Sequence, residues 1–395
     1  MKKFLSSVLI SFLLLAQFPS AQAEAPSSFA FTGSGYGHGV GMSQIGAKAR
    51  AVAGESATAI LNYYYKDVVI APVVDTQTIR VNIGSALKNF SISTAQVNSK
   101  IEVLAGDIPA GVTALPIMTI APQTKATFAI EGKNVVIGSV KAKSLTIRWG
   151  SPSTILTFYG PGASVRYKYG QIQVKVVSGA LEVTNSLSLH DEYLWGISEI
   201  SSAWPSAVLD AQVIAARSYA LAKMGGIKGS CDCHVYSHIG DQNFVGYSKE
   251  AEAKIGKFWK AAVLRTNVDT STSLVMLNKG KPIQAYFFSS SGGATQTTLD
   301  AWGQATAYTQ SVADPAGLDP KLNPRFAQWK ASATQELVAK AFLLPDIVTL
   351  EIITRNSAGA VTYIKGTSSN GSTKLLRGDT FRSRAKIPSP YFNLA

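Results

Sequence analysis

Cysteine and acidic residues are scarce in this chain of 395 residues. Two cysteines cannot build a disulfide framework, so a sizeable apolar core must hold the fold. Charged residues make up only 15% and apolar residues 46%, which excludes a disordered polyelectrolyte. Lys and Arg number 37 against 24 Asp and Glu, a formal net charge of +13. The cations are scattered and never form a basic run, which argues against a dedicated nucleic-acid binder. Beyond the N-terminus no stretch approaches the roughly 18–20 apolar residues that span a bilayer. At about 150 residues per domain the length predicts two or three domains.

The N-terminus does carry an apolar run. Lys2 and Lys3 precede Phe4 to Phe18, and Ala21-Gln22-Ala23 supplies the small-x-small pattern read by signal peptidase. Residues 1–23 therefore read as a secretory signal peptide without the Arg-Arg pair of a twin-arginine signal. Cleavage would leave 395 − 23 = 372 residues carrying 13 − 2 = +11. The expected location is outside the cytoplasmic membrane, secreted or at the cell wall, where no ATP or NAD pool exists. A basic protein there meets cell-wall carboxylates, teichoic acids and lipid headgroups.

Along the mature chain the pattern predicts an α+β fold, a mixed helical and β core with a β-rich accessory region. Residues 24–35 read as a loop or short strand. Met42 to Ala53 reads as a helix closed by Gly54, and Ser56 as the cap of a second with Ile60, Leu61 and Tyr64 on one face. From Thr78 to Ser188, Val, Ile and Thr alternate with polar residues between frequent turn signals, a β-rich module. Asp191 to Ile200 reads as a helix. Trp204-Pro205 opens another that runs to about Met224, where Gly225-Gly226 stops it. Lys249 to Ala262 reads as a further helix, Leu274 to Phe288 as a hairpin turning at Asn278-Lys-Gly, and the last 45 residues as strands.

Four segments carry chemistry. In Gly33-Ser-Gly-Tyr-Gly-His-Gly-Val-Gly-Met-Ser-Gln44 the alternating glycines allow close approach or positive φ. No Gly-Lys-Ser/Thr follows, so a phosphate loop is excluded. The segment is either a tight structural turn or, with His38 and Gln44, the polar wall of a cleft. In Glu192-Tyr-Leu-Trp-Gly-Ile-Ser-Glu199, the carboxyl of Glu199 lies beside Ile200 and Trp204. Partial desolvation there would raise its pKa toward that of a general acid, although a capping or ion-paired role fits as well. Glu192 would lie two helical turns back on the same face. Gln212 and Arg217 follow on the next helix, five residues apart. The Ser289-Ser290-Ser291-Gly292-Gly293 loop suits sugar recognition or is a plain polar loop; no Gly-x-Ser-x-Gly elbow supports a serine hydrolase. Cys231 and Cys233, with His234 and His238, leave a disulfide, a structural zinc site and free thiols all open.

These residues together resemble the SpoIID/LytB family, named for stage II sporulation protein D and an amidase enhancer. The family's Glu-Tyr-Leu, Glu before Trp-Pro, and Ala-Gln-Ala-Val-Ala-Ala-Arg-Thr-Tyr pattern stands here as Glu192 to Glu199, Trp204-Pro205 and Ala211 to Tyr219. Asp241 to Gly246, Ser289 to Thr295, Trp302-Gly303 and Gly37 to Gln44 also match. Ile200-Ser201 replaces the usual Met-Pro, and Ser218 replaces Thr. In the family the Gly-His-Gly motif is C-terminal and follows a strand resembling Arg377 to Arg382; here it comes first. The resemblance thus implies a circularly permuted core, with residues 30–70 packed beside 350–392 and one cleft shared with Glu199. The implied division is 24–75 as the permuted Gly-His-Gly segment, 76–188 as the β-rich region and 189–395 as the catalytic core.

The implied activity is that of a peptidoglycan lytic transglycosylase cleaving MurNAc–GlcNAc strands to 1,6-anhydro ends, with Glu199 as general acid and base and no cofactor required. Arg217, Gln212, Tyr219, His38, Gln44, Ser289, Ser290, Gly292 and Gly293 are implied glycan contacts. The alternative is a non-catalytic wall-binding protein whose partner is a cell-wall amidase. A third reading is a structural wall protein that binds through 78–188. The glycan strand is the expected partner; nucleic acid is not.

Overall fold

The computed structural model describes residues 25–150 and 153–395; the signal-peptide segment 1–23 lies outside the described residues. The architecture is α+β. Two antiparallel sheets form the middle of the chain. One has the order Val140–Ala142, Asn134–Ile137, Ala126–Glu131, Asn89–Thr94, Leu156–Gly160 and Ala163–Tyr167. The other runs Val235–Tyr236, Thr78–Leu87, Ala180–Ser188, Gln171–Val177, Ser144–Trp149, Ile101–Ala105 and Met118–Ile120. Alternation drives both: Phe90, Ile92, Phe128, Val135 and Phe158 point inward from the first and meet Val81, Val103, Ile147 and Val183 of the second in one core. Only Val235–Tyr236 departs from the antiparallel pattern, pairing in parallel with Val81 and Asn82.

Helix α1 (Gln44–Val52) is capped by Ser43 and α2 (Ala57–Tyr64) by Ser56, which accepts from the Ala59 N–H; Gly54 takes φ +91° between them. Helix α3 (Ser206–Lys223) follows Pro205 and is buried on nearly every side. Its small alanines let neighbours approach closely, which is why α1, α2 and α5 all pack against it. The short α4 (Tyr247–Glu250) and α5 (Gly256–Arg265) replace the single helix expected over 249–262. The break has a cause. Lys249 is almost wholly buried and donates to the Ile200 carbonyl at 2.8 Å, Lys254 takes φ +65°, and a Cβ on Gly256 would strike the Glu250 carbonyl.

The helix expected over Asp191–Ile200 is also corrected. A π-turn, Leu189–Tyr193, continues only through Trp195. Backbone hydrogen bonds then leave the helix: Ser198 N–H donates to the Asn243 carbonyl at 2.8 Å, and Val245 N–H to the Gly196 carbonyl at 2.8 Å. The Phe244 ring lies where a Cβ on residue 196 would be, so glycine admits the crossing strand. Glu192 and Glu199 consequently share no helix face. The 274–288 hairpin turns through Lys279 and Gly280 at positive φ but pairs only to Pro282; Phe287–Phe288 pairs in parallel with Met42–Ser43 instead.

The last part of the chain adds α6 (Thr298–Trp302), α7 (Gln335–Phe342), the sheet Thr349–Arg355, Val361–Thr367, Thr373–Arg377, and α8 (Gly378–Ala385). Residues 378–382 are thus helical rather than extended: a Cβ on Gly378 would strike the Val361 carbonyl, so the strand ends at Arg377, the N-cap of α8. The strand Ser28–Gly33 lies between Trp329–Thr334 and Phe392–Leu394. Phe31 enters a second core with Trp329, Phe342, Phe381 and Phe392. Residues 31–37 and 388–394 are therefore neighbours, tied by Ser34 N–H to the Tyr391 carbonyl at 3.1 Å and Gly37 N–H to the Pro388 carbonyl at 3.0 Å.

Candidate active site

Helix α3 is the floor on which the candidate residues assemble. On one flank α1 lies against it: Gln44 Nε2 donates to Gln212 Oε1 at 3.3 Å, and Lys48 Nζ sits 5.1 Å above the Trp204 ring. On the other, three consecutive residues track it. Tyr219 Oη donates to Asp241 Oδ1 at 2.8 Å, Gln242 Nε2 to the Ala216 carbonyl at 3.3 Å, and Asn243 N–H to Glu199 Oε1 at 2.6 Å. Asn243 Nδ2 also donates to the Ser198 carbonyl at 2.7 Å. One extended segment therefore fixes both the Tyr219 hydroxyl and the Glu199 carboxyl, two residues or roughly 6–7 Å apart along the chain.

Glu199 is half-buried and, among the described residues, has no cationic partner. Burial pushes its carboxyl above the ordinary range, opposed by the Asn243 N–H, which favours the charged form. Asp241 is the opposite case. It accepts from Tyr219 Oη and, at 2.9 Å, from the Tyr236 N–H, and it pairs with Lys228 at 3.0 Å. That carboxylate is saturated and is not a free nucleophile.

Beside Asp241 opens a cleft of about 230 Å³ walled by His38, Tyr219, Tyr286, Trp302, Asp379 and Arg382. His38 Nδ1 accepts from the Val40 N–H at 3.1 Å, which leaves the proton on Nε2. Burial pulls its pKa down to about 4, against the attraction of Asp379, so the ring is neutral at pH 7. The rings of Trp302 and Tyr286 stand edge-on to it at 5.3 and 6.4 Å. Trp302 Nε1 donates to Asp379 Oδ2 at 2.9 Å, and Asp379 pairs with Arg382 at 2.8 Å. The cleft is thus an aromatic slot with a charged end, of the kind that stacks sugar rings and orients their substituents.

His38 and Tyr219 meet in this cleft. Glu199 lies beside it, not among its lining residues. Gln212 is fully buried, its Oε1 held by Gln44 and its Nε2 without a partner, so both glutamines sit beneath the surface. Arg217 is corrected outright as a glycan contact. It is wholly buried, its Nε 3.0 Å from Asp75, and it donates to Thr266 Oγ1 at 2.9 Å and Asn267 Oδ1 at 2.7 Å. Asp75 also binds His190 Nδ1 at 2.6 Å. Burial lowers the Arg217 pKa to about 10, with Asp75 opposing.

The 289–293 loop is likewise a seam and not a cleft wall. Ile45 N–H donates to the Ser289 carbonyl, Ser290 exchanges backbone bonds with Tyr36, and a Cβ on Gly292 would overlap the Tyr391 ring. Gly293 holds φ +114°. Cys231 and Cys233 are joined in a disulfide, and no cluster of three metal-binding side chains occurs among the described residues. Tyr286, Asp379, Arg382 and Asn243 complete the site without having been singled out. Asn243 and Trp302 lay inside segments already matched to the family, whereas nothing local in sequence marks Asp379 as facing His38.

The profile of the family described as Stage II sporulation protein (SpoIID) matches residues 177–272, which contain Glu199, Gln212, Tyr219 and Asn243. Stage II sporulation protein D of Bacillus subtilis is 28% identical over 183 residues, 44% of this chain and 51% of that protein. An uncharacterized protein of Brachyspira hyodysenteriae is 27% identical over 147 residues, 36% of this chain and 37% of its own length. The chain spans about half, or less, of the relatives it matches. The similarity of this chain to the SpoIID family is thus carried by residues 177–272.

Proposed function

We propose that the protein acts outside the cytoplasmic membrane on the cell wall, as a lytic transglycosylase that cuts the MurNAc–GlcNAc glycan strand. The observation that carries this reading is the Glu199 carboxyl. It is half-buried, raised in pKa, without a cationic partner among the described residues, and held by the Asn243 N–H on the segment that also builds the cleft wall.

The chemistry needs one carboxyl. Protonated Glu199 gives its proton to the glycosidic oxygen as the C1–O bond breaks, and the carboxylate left behind stabilises the oxocarbenium-like centre. The sugar's own 6-hydroxyl then bonds to C1 and returns its proton to Glu199. The strand gains a 1,6-anhydro end, no water is consumed, and the enzyme is regenerated. Hydrolysis would call for a second carboxylate at a definite separation, and Asp241 is already committed to Tyr219, Tyr236 and Lys228. In the cleft, Tyr286 and Trp302 supply aromatic walls, and neutral His38 stands between them, its ring held by the Val40 and Phe287 backbone. Muropeptide analysis after incubation with isolated walls tests the reading. Faster digestion by an added amidase, with no anhydro product from the protein alone, would support the wall-binding alternative instead.

A further inference from the structure

Charge is distributed unevenly over this chain. Residues 76–188 carry 11 Lys or Arg against 4 Asp or Glu, and 11 − 4 = +7 of the net +13 lies in under a third of the length. Within that region the acids are not shared equally. Glu102, Asp107 and Glu182 belong to the seven-stranded sheet and its connections, which leaves only Glu131 on the six-stranded sheet. That sheet and its turns expose Lys88, Lys125, Lys133, Lys141, Lys143 and Arg166. Among the described residues only Lys141 of these has a carboxylate partner, Glu131.

Register shows which of them share the outer face. Lys141 stands opposite Val136, Val136 opposite Ala129, and Thr157 opposite Arg166. Phe90, Phe128 and Phe158 occupy the alternate, inward positions. Lys125 Nζ rests 4.2 Å over the outward Tyr159 ring. Between these cations runs a row of hydroxyls, Thr127, Ser91, Tyr159 and Ser164, aligned across four strands. At about 4.8 Å per strand the row is roughly 14 Å long. Ser91 and Thr127 bond to each other at 2.8 Å, and Ser93 to Tyr159 at 3.1 Å.

We propose that the outer face of the six-stranded sheet is a docking surface for a linear polyanion of the cell wall whose charges are backbone phosphodiesters. Spaced lysines answer regularly spaced single charges, and the hydroxyl row offers donors to phosphate oxygens. A bilayer fits less well, because the outer face presents no Trp, Phe or Leu to insert. Single-stranded nucleic acid fits less well too, since the rings met by these cations are already covered, Tyr159 by Lys125 and Tyr247, at the edge strand, by Arg166. The surface lies outside the family match at 177–272 and does not depend on the activity of Glu199.

The test is cosedimentation of the full chain with isolated walls, intact or stripped of phosphodiester polymer by hydrofluoric acid. At about 0.1 M salt, K125Q/K141Q/R166Q should bind intact walls about tenfold or more weakly than wild type. Stripped walls should hold both proteins equally poorly, and 1 M salt should erase the difference. K257Q/K330Q/K374Q removes the same charge from exposed positions elsewhere and should bind like wild type. The proposal is overturned if the two triple variants lose binding equally, or if wild type binds stripped walls as well as intact ones. Tighter binding to phosphatidylglycerol vesicles or to single-stranded DNA than to intact walls would also overturn it. Melting curves confirm that the variants are folded.

Discussion

Replacing Arg217 with alanine separates a residue that holds the core from one that touches substrate. Its guanidinium is wholly buried, ion-paired with Asp75 and hydrogen-bonded to Thr266 and Asn267. Removing one member of a buried pair leaves the other charge uncompensated, a cost of about 3–5 kcal/mol. Asp75 keeps its contact with His190, which softens the loss and favours the lower end. At roughly 2–4 °C per kcal/mol for a unit of 150–250 residues, the melting temperature should fall by about 6–20 °C. Protein that remains folded below the transition should bind glycan as wild type does. Replacing Asp75 as well should cost less than the sum of the two single changes, because no orphan charge remains. Calorimetry and glycan binding on the same samples read both outcomes. An R217A protein that melts within 2 °C of wild type (about the shift from 0.5–1 kcal/mol) yet no longer binds glycan would refute the buried placement.

Further expectations follow from the same geometry. His38, lowered to about 4 by burial, should titrate near pH 4 in its ring proton resonances; a midpoint at 6.5 would contradict the buried neutral ring. Because the folded pKa lies below the unfolded one, the fold binds fewer protons between them. Stability should therefore fall as pH drops from about 6.5 through 4, and H38N should flatten that dependence. Glu199 has the opposite sign. Its raised pKa keeps the acid form present above the ordinary carboxyl range, so kcat/KM should decline as pH rises through it. A rate independent of pH from 4 to 9 would remove Glu199 as the proton donor. Gly292→Ala drives a Cβ into the Tyr391 ring and should cost about 1–3 kcal/mol by denaturant titration. The unreduced, denatured protein should show no free thiol, and two after reduction; two thiols before reduction would contradict the Cys231–Cys233 link.

Local signals in the sequence reached the structure wherever local physics decides it. Gly54 closes the first helix and Ser56 caps the second, and alternating Val, Ile and Thr built the two sheets. The readings failed where distant residues compete for a backbone. Residues 196–199 look helical by periodicity, yet their hydrogen bonds go to 243–245 across a gap closed by Gly196. Lys249 opens the helix expected over 249–262, but its ammonium is drawn inside by the Ile200 carbonyl. Arg217 resembled a site residue because burial and its partner Asp75, 142 positions earlier, leave no trace in spacing. The cleft itself joins residues 38, 219, 286, 302, 379 and 382, a gathering that only the meeting of the chain's two ends produces.

The central claim is that Glu199 cleaves the glycan strand without water, and mass spectrometry of muropeptides tests it most directly. Isolated walls incubated with wild-type protein should release 1,6-anhydro products, each 18 Da (one water) lighter than its hydrolysed counterpart. E199Q should keep the melting temperature and release about 10²–10⁴-fold less. Undiminished anhydro release by E199Q, or reducing ends from the wild type, would contradict the account.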